Sequence, residues 1–346
     1  MFKDFIKNKK ILITGGTGSI GSQILNALIG FKPKMIRIFS RDEYKQYKLR
    51  YKYSDISNID FFLGDVRDSE SVLVASSNCD LIFHCAALKH VPPSEEMPEE
   101  FIKTNILGSL NVKKSAIKNK VPITISISSD KAVDPANLMG LTKAVQEKIF
   151  SSHLLKEKTP GLKFVNVRFG NVIGTHGSLF PTIYHQFKRN KPLTITDPEM
   201  TRFFMSQKEA IDLIFWATIH GNDGDIVVKK MKSAKLDNII KNFMAILNIK
   251  KSYPIKYIGI RVGEKKHEYL ITEDNLYRTK EKDGYFIVSP YKSSDIDKNL
   301  IVKKTKTLTE RNNFFSNSWK NFMSDKEIKK YIQSYIEEAN GIDSIL

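Results

Sequence analysis

The run ILITGGTGSIGSQIL, residues 11–25, constrains this chain more than any other stretch. An apolar strand pattern meets Gly15, Gly18 and Gly21, spaced G-x-x-G-x-x-G, and passes at once into a helical pattern. Glycine permits the tight turn and a close backbone approach. The helix N-terminus behind it offers unpaired N–H groups and partial positive charge to a pyrophosphate. Thr17, Ser19 and Ile20 in the same loop are expected to join the glycines around those phosphates. A loop of this kind works only between a strand and a helix, so the chain must supply a βαβ unit.

The rest of the N-terminal half repeats that alternation. Apolar runs at 10–14, 35–39, 59–63, 80–85, 123–128 and 163–169 predict strands. Helical patterns fall between them, at about 18–30, 42–53, 68–76, 98–119 and 136–157. The strands are apolar on both faces, as strands covered on both sides by helices must be. The expected fold is α/β, a Rossmann-like doubly wound parallel sheet with a smaller interleaved C-terminal substrate lobe. Beyond residue 170 the pattern loosens. Helices are expected near 181–190, 206–219 and 235–247, a strand at 225–228, and a final helix at 326–339 in an extended, polar tail. This divides the chain into a cofactor domain at 1–170, to which later segments return, a substrate lobe at 171–290 and an extension at 291–346.

Composition narrows the function classes. With 41% hydrophobic and 27% charged residues, the chain reads as an ordinary globular protein. No apolar run approaches the roughly 18 residues of a membrane span, and the start MFKDFIKNKK is too polar for a signal peptide. Two cysteines, Cys79 and Cys85, make no disulfide framework. A cytoplasmic protein is expected. The formal net charge of +17 raises nucleic-acid binding, but the lysines are scattered and no zinc finger or recognition-helix pattern accompanies them. A solvated basic surface suited to small anionic ligands is the better reading. The histidines lack metal-ligand spacing, so no metal is expected.

The second strand ends in FSRDE, placing Ser40 and Arg41 where an NAD-specific site usually has an acid. Arginine there suits a 2′-phosphate, favouring NADP, with NAD as the alternative. Asp65 and Val66 in GDVRD are expected near the adenine, and Ala86 and Ala87 after strand four leave room for the cofactor. Strand five leads into Ser129, Asp130 and Lys131. Pro135 is expected near the start of the next helix, on which Met139 and Lys143 share a face. That face should turn toward the nicotinamide. The pattern is M-x-x-x-K where many nucleotide-cofactor enzymes carry Y-x-x-x-K, and methionine has no proton to exchange.

TGGTGSIG, SRDE, GDVRD, AALKHVP, KTNILGS, SSDKAVDPANLMGLTK, RFGNVIGTHGS, MTRFF and GIRVGEKKHE occur in this order. The set resembles the extended short-chain dehydrogenase/reductase superfamily over about residues 10–290. Within it, the chain is similar to the soluble UDP-N-acetylglucosamine 4,6-dehydratases of polysaccharide biosynthesis. The resemblance implies oxidation of the sugar at C4, loss of the C5 proton, departure of the C6 hydroxyl as water, and return of the hydride to C6, with C5 inversion. With no tyrosine, Asp130 is expected to take the C4 hydroxyl proton and later protonate the C6 oxygen. Lys131 would take the C5 proton, which requires a lowered pKa. Lys143 would bond the nicotinamide ribose, Ser129 would orient the C4 oxygen, and Met139 would pack against ring and sugar. On the substrate side the resemblance implicates Lys89, Asn105, Asn171, Arg202, Arg261 and Glu264, with Asn105 also holding the catalytic loop together. Similar proteins form dimers or hexamers, so a homo-oligomer is expected. The alternatives are a UDP-sugar 4-epimerase, a variant stopping at a 5,6-unsaturated sugar, and a non-catalytic cofactor-binding protein.

Overall fold

The structure is a computed structural model that describes residues 1–152, 160–250, 252–290 and 314–343. The end of the helix expected at 136–157, and much of the extension at 291–346, fall outside the described residues. Strands β1 (Lys10–Thr14), β2 (Met35–Ser40), β3 (Ile59–Leu63), β4 (Leu81–His84), β5 (Ile123–Ile127) and β6 (Lys163–Arg168) follow the apolar runs. Short strands come next: β7 (Asn171–Val172), β8 (Leu193–Ile195) and β9 (Thr201–Met205). Then follow β10 (Ile226–Lys229), β11 (Lys232–Lys235), β12 (Ile255–Tyr257), β13 (Thr279–Lys282) and β14 (Tyr285–Val288).

Nine of these form one sheet in the order β13-β14-β10-β6-β5-β4-β1-β2-β3. From β3 to β10 every pair is parallel, and β14 and β13 close the far edge antiparallel. The fold is therefore α/β with a large, mostly parallel Rossmann-like sheet and a smaller C-terminal region. The strand order reverses between β1 and β4, and ligands of such sheets bind at that crevice. The central strands are buried on both faces: Ile11, Leu12 and Ile13 are inaccessible to solvent, and Ile24, Leu25 and Leu28 of the Ser19–Ile29 helix pack into the same core region. Each such side chain contributes about 1.5–3 kcal/mol by leaving water.

A second core gathers Phe180, Phe204, Phe243, Ile328, Ile332 and Tyr335. The C-terminal helix, Asp325–Asp343, thus docks against Leu236–Ile246 instead of trailing in solvent. Tyr285–Val288, which the sequence does not mark as a strand, pairs antiparallel with β10. No helix among the described residues is long and apolar enough to cross a membrane.

One expectation near the crevice needs correction. The helix expected at 98–119 is broken into Pro98–Phe101, a π-helix at Ile102–Leu107, and Gly108–Lys118. The widened turn carries Asn105, whose side chain is hydrogen-bonded to Leu88 and Thr142. Single π turns of this kind are frequent at functional sites. Pro135 lies two residues before the cap of the following helix, near its start as expected. Asn137 caps it, its Oδ1 accepting from Gly140 N at 2.7 Å, and the helix runs Leu138–Ser151. Asparagine satisfies an otherwise unpaired donor there, which proline cannot do.

Candidate active site

At the reversal point lies a cleft of about 280 Å³. The phosphate loop forms one wall. Gly15 sits at φ +65°, and a Cβ on it would lie 2.7 Å from the backbone of Ala86. A Cβ on Gly21 would lie 2.4 Å from Gly15 O. Only glycine allows loop, helix and neighbouring strand to approach so closely. Gly15, Thr17, Gly18, Ser40, Arg41, Asp65, Val66, Ala86 and Ala87 all line the cleft. Ser19, Ile20, Gly21 and Lys143 do not. Gly21 and Ile20 hold the helix in place behind the loop, and Ser19 Oγ accepts from His176 N at 3.1 Å and lies 2.8 Å from His176 Nδ1. Phe39, Asp42, Lys45, Gly64, Cys85, Leu88 and Thr104 complete the lining. The sequence reading assigned none of these to the cofactor.

Charge in the cleft is uneven. Arg41 Nη1 lies 3.7 Å from Asp65 Oδ2, and Lys45 pairs with Asp42 at 3.0 Å. Burial alone would raise the Asp65 carboxyl. The hydrogen bonds and charge of Arg67, with Arg41 behind it, reverse that and hold it below the usual carboxylate range. Asp42 is spent as a helix cap, accepting from Lys45 N at 2.9 Å. The donor-rich loop and the glycine cradle fit a dinucleotide.

The strand ends beside this cleft carry the cluster of Ser129, Asp130 and Lys131. Past β5 the chain stays tied to β6: Ser128 N donates to Val167 O, and Asp130 N to Phe169 O. Asp130 is fully buried. Its Oδ1 accepts from Ser129 Oγ at 3.0 Å and Lys131 Nζ at 3.1 Å, while Oδ2 has no hydrogen-bond partner among the described residues. A side chain on Gly170 would press on that oxygen, 3.2 Å from its Cβ. Buried carboxylate oxygens without partners are rare, because each forfeits its hydration.

Lys131 Nζ also donates to Asn171 Oδ1 at 3.4 Å and lies 3.8 Å from Glu268 Oε1. Burial pulls its pKa down, but the carboxylates of Asp130 and Glu268 outweigh it and leave the pKa above the ordinary lysine value. The lowered pKa expected of a C5 base is thus absent from the resting site. Glu268, only 2% exposed, is the residue whose part the sequence reading missed. Its motif, GIRVGEKKHE, is legible, but nothing in one chain marks the last glutamate as buried.

The remaining expectations sort by burial. Lys143 is buried, its Nζ donating to Ile127 O and Gln146 Oε1, each at 2.9 Å. Burial drives its pKa down to about 8. Met139 packs with Val91 and Phe101. Asn105 is wholly buried, with both amide hydrogens given to Leu88 O and Thr142 Oγ1 and its oxygen accepting from Leu88 N. Substrate contact is therefore closed to it, and it joins the loop after β4 to the Leu138–Ser151 helix. Arg202, expected as a diphosphate fork, is buried too. Its Nη1 donates to Thr201 O at 2.8 Å and Lys266 O at 3.2 Å, and its Nε lies 3.8 Å from Glu268. Internal acceptors have already taken that fork.

Lys89 and Arg261 stay exposed; Arg261 Nη1 lies 3.9 Å from Glu264 Oε1. Partial burial and the charge of Lys131 lower the Lys89 pKa. The Arg261–Glu268 segment is pinned to the stretch that follows Lys131. Lys265 Nζ donates to Val133 O and Asp134 O, and Asn137 Nδ2 to Gly263 O.

Comparison with known proteins agrees with this architecture. Pen from Bacillus thuringiensis superposes with a TM-score of 0.85 at 34% identity, covering 95% of this chain and 98% of that one. The UDP-glucose 4-epimerase of Rickettsia prowazekii is 38% identical over 344 residues, 96% of this chain and 99% of its own. An uncharacterized membrane protein of Methanocaldococcus jannaschii is 40% identical over 315 residues, 88% of this chain and 94% of its own. The model of the polysaccharide biosynthesis protein family matches residues 11–290. With its glycine cradle at the sheet's reversal point and that match across most of its length, the chain belongs to the polysaccharide biosynthesis protein family of extended short-chain dehydrogenase/reductases.

Proposed function

We propose that this protein is an NADP-dependent UDP-N-acetylglucosamine 4,6-dehydratase that inverts C5 and serves surface polysaccharide or glycan biosynthesis. One observation carries the reading. The helix position suited to an acid–base tyrosine holds Met139, packed among Val91 and Phe101, while a buried carboxylate with an unpartnered oxygen, Asp130, stands beside the Lys131 amine. Proton chemistry has moved from a phenol to this pair.

A bound nicotinamide supplies the hydride acceptor at C4 and the donor at C6. The residues do the rest. Asp130 Oδ2 accepts the C4 hydroxyl proton and returns it to the departing C6 oxygen, so no net proton change accrues on the carboxylate. Ser129, hydrogen-bonded to Asp130, orients the C4 oxygen. Lys131 takes the C5 proton, and C5 is reprotonated from solvent on the opposite face after the hydride reaches C6. Lys143 would bond the nicotinamide ribose, and the loop of Gly15, Thr17 and Gly18 would hold the pyrophosphate. Arg41 and Lys45 at the cleft wall favour NADP over NAD. Lys89, Asn171, Arg261 and Glu264 remain for the nucleotide sugar. Met97, Ile102, Leu107, Leu141 and Val145 are apolar and exposed, which supports a homo-oligomer.

A 4-epimerase is the second reading, favoured by the name of the Rickettsia prowazekii relative. Mass spectrometry for water loss and proton NMR for C4 configuration, applied to UDP-N-acetylglucosamine and to UDP-glucose after incubation, separate the two. Loss of one water supports the dehydratase; unchanged mass with inverted C4 supports the epimerase; two untouched sugars refute both. Asp130→Asn should cut transient cofactor reduction by about a hundredfold or more, as loss of a general base does.

A further inference from the structure

Glu268 has no assigned part in the chemistry, yet it is buried among three cations. Lys131 Nζ and Arg202 Nε each lie 3.8 Å from its Oε1, and Lys265 Nζ lies 3.2 Å from its Oε2. Its backbone is fixed as well: Glu268 N donates to Ser316 Oγ at 2.8 Å. Around Lys131 the facing charges are Asp130, Glu268 and Arg202, with exposed and so more screened Lys89 at the rim. The cluster therefore holds Lys131, Arg202 and Lys265 against Asp130 and Glu268.

We propose that Glu268 is a positioning residue that times Lys131. While Asp130 is ionised, two carboxylates face three cations, and Lys131 stays an ammonium. Once Asp130 has taken the C4 hydroxyl proton, one carboxylate faces three cations. Lys131 then sheds its proton to solvent through the quarter of its side chain that remains exposed, 24%. The free amine next accepts the C5 proton, and Asp130 gives its own proton to the leaving C6 hydroxyl. Lys131 has then given one proton to solvent and taken one from C5. Once the hydride has reached C6, solvent returns one proton to the opposite face of C5, so the protons balance. The two proton acceptors act in a fixed order because the first switches on the second. Burial alone opposes the ammonium, and the two carboxylates reverse it, in agreement with the raised Lys131 pKa. The proposal rests on the dehydratase reading for its order of steps, though not for the coupling itself.

The test uses the full chain with ¹³C-labelled lysine, followed by NMR across pH, the Lys131 signal being assigned by its loss in Lys131→Arg. Glu268→Gln should lower the Lys131 midpoint by about one pH unit or more, as loss of a close opposite charge does. Asp130→Asn, mimicking the protonated acid, should lower it too. Glu268→Asp should return it toward the wild-type value. An unchanged midpoint in folded Glu268→Gln overturns the proposal, and folding is checked by the remaining lysine signals. A role confined to holding the fold together would alter melting but leave the midpoint in place. With UDP-N-acetylglucosamine in deuterated water, the acid limb of C5 exchange should move to lower pH in Glu268→Gln, about tenfold faster per unit on that limb, while transient cofactor reduction persists. A shifted midpoint in a protein that leaves the sugar untouched supports the charge coupling and sinks the dehydratase reading. A dehydrating enzyme with an unshifted midpoint does the reverse.

Discussion

Lys143 shows how a single buried side chain connects stability to pH. Its folded pKa of about 8 lies below the value near 10.4 of an exposed lysine. Between those values the unfolded chain holds the proton more tightly than the folded one. Stability contributed by this group therefore rises as pH climbs from about 8 toward 10.4, and the full cost is present below 8. The cost is of order 3 kcal/mol and is already net of the bonds to Ile127 O and Gln146 Oε1. Lys143→Met should accordingly gain stability relative to wild type at pH 7, and that gain should vanish near pH 10. Urea unfolding at the two pH values measures it. A difference between the two proteins that is flat in pH would remove burial as the cause. The helical spacing of Met139 and Lys143 was readable from the sequence, but the depth of Lys143 was not. Four residues of i to i+4 spacing place two side chains on one face without saying how far the sheet beneath will cover them. The sign of the Lys131 shift was hidden for the same reason, because Glu268 reaches it only through the tertiary fold.

At the scale of elements, the buried pair Glu147–Arg168 locks the Leu138–Ser151 helix to β6. Arg168 Nη2 donates to Glu147 Oε2 at 2.6 Å and Nε to Oε1 at 2.9 Å, while Nη1 reaches Leu270 O at 2.6 Å. Ser128 Oγ donates to the same glutamate at 2.6 Å, so the turn carrying Asp130 is held by this bridge too. Breaking one side of a buried pair strands the other charge. Arg168→Met should therefore cost about 3–5 kcal/mol, with loss of activity through the displaced turn. The double variant Glu147→Gln with Arg168→Met should recover part of that stability. Chemical denaturation of the two proteins decides it; a double variant no more stable than the single would mean that packing, not charge, holds the joint. The first six strands were legible because each is an apolar run bounded by helical pattern. The π-helix at Ile102–Leu107 was not, since its extra residue leaves the local hydrophobic spacing nearly unchanged. The strand Tyr285–Val288 was also hidden: it alternates buried and half-buried residues, and only its seat beside β10 makes it part of the sheet.

Over the whole molecule, a formal charge of +17 acts on every anionic ligand before contact. The lysines spread around the surface supply a general attraction that ions screen beyond about 10 Å at 0.1 M salt. Arg41 and Lys45 supply a local one inside the cleft wall. These two contributions separate by experiment. Stopped-flow association of NADP and of NAD should slow with rising salt in both cases, by about tenfold between low salt and 0.5 M for NADP. The slope should be steeper for NADP, which carries the additional 2′-phosphate. Its dissociation rate should change less, because the paired groups are then in contact and partly shielded from ions. Replacing Arg41 and Lys45 by alanine should bring the NADP slope closer to that of NAD and change the NAD slope less, the remaining gap coming from the pull of the intact surface charge on the additional phosphate. Equal slopes for the two cofactors in the wild-type protein would show that these side chains do not face a 2′-phosphate, and would turn the cofactor assignment toward NAD.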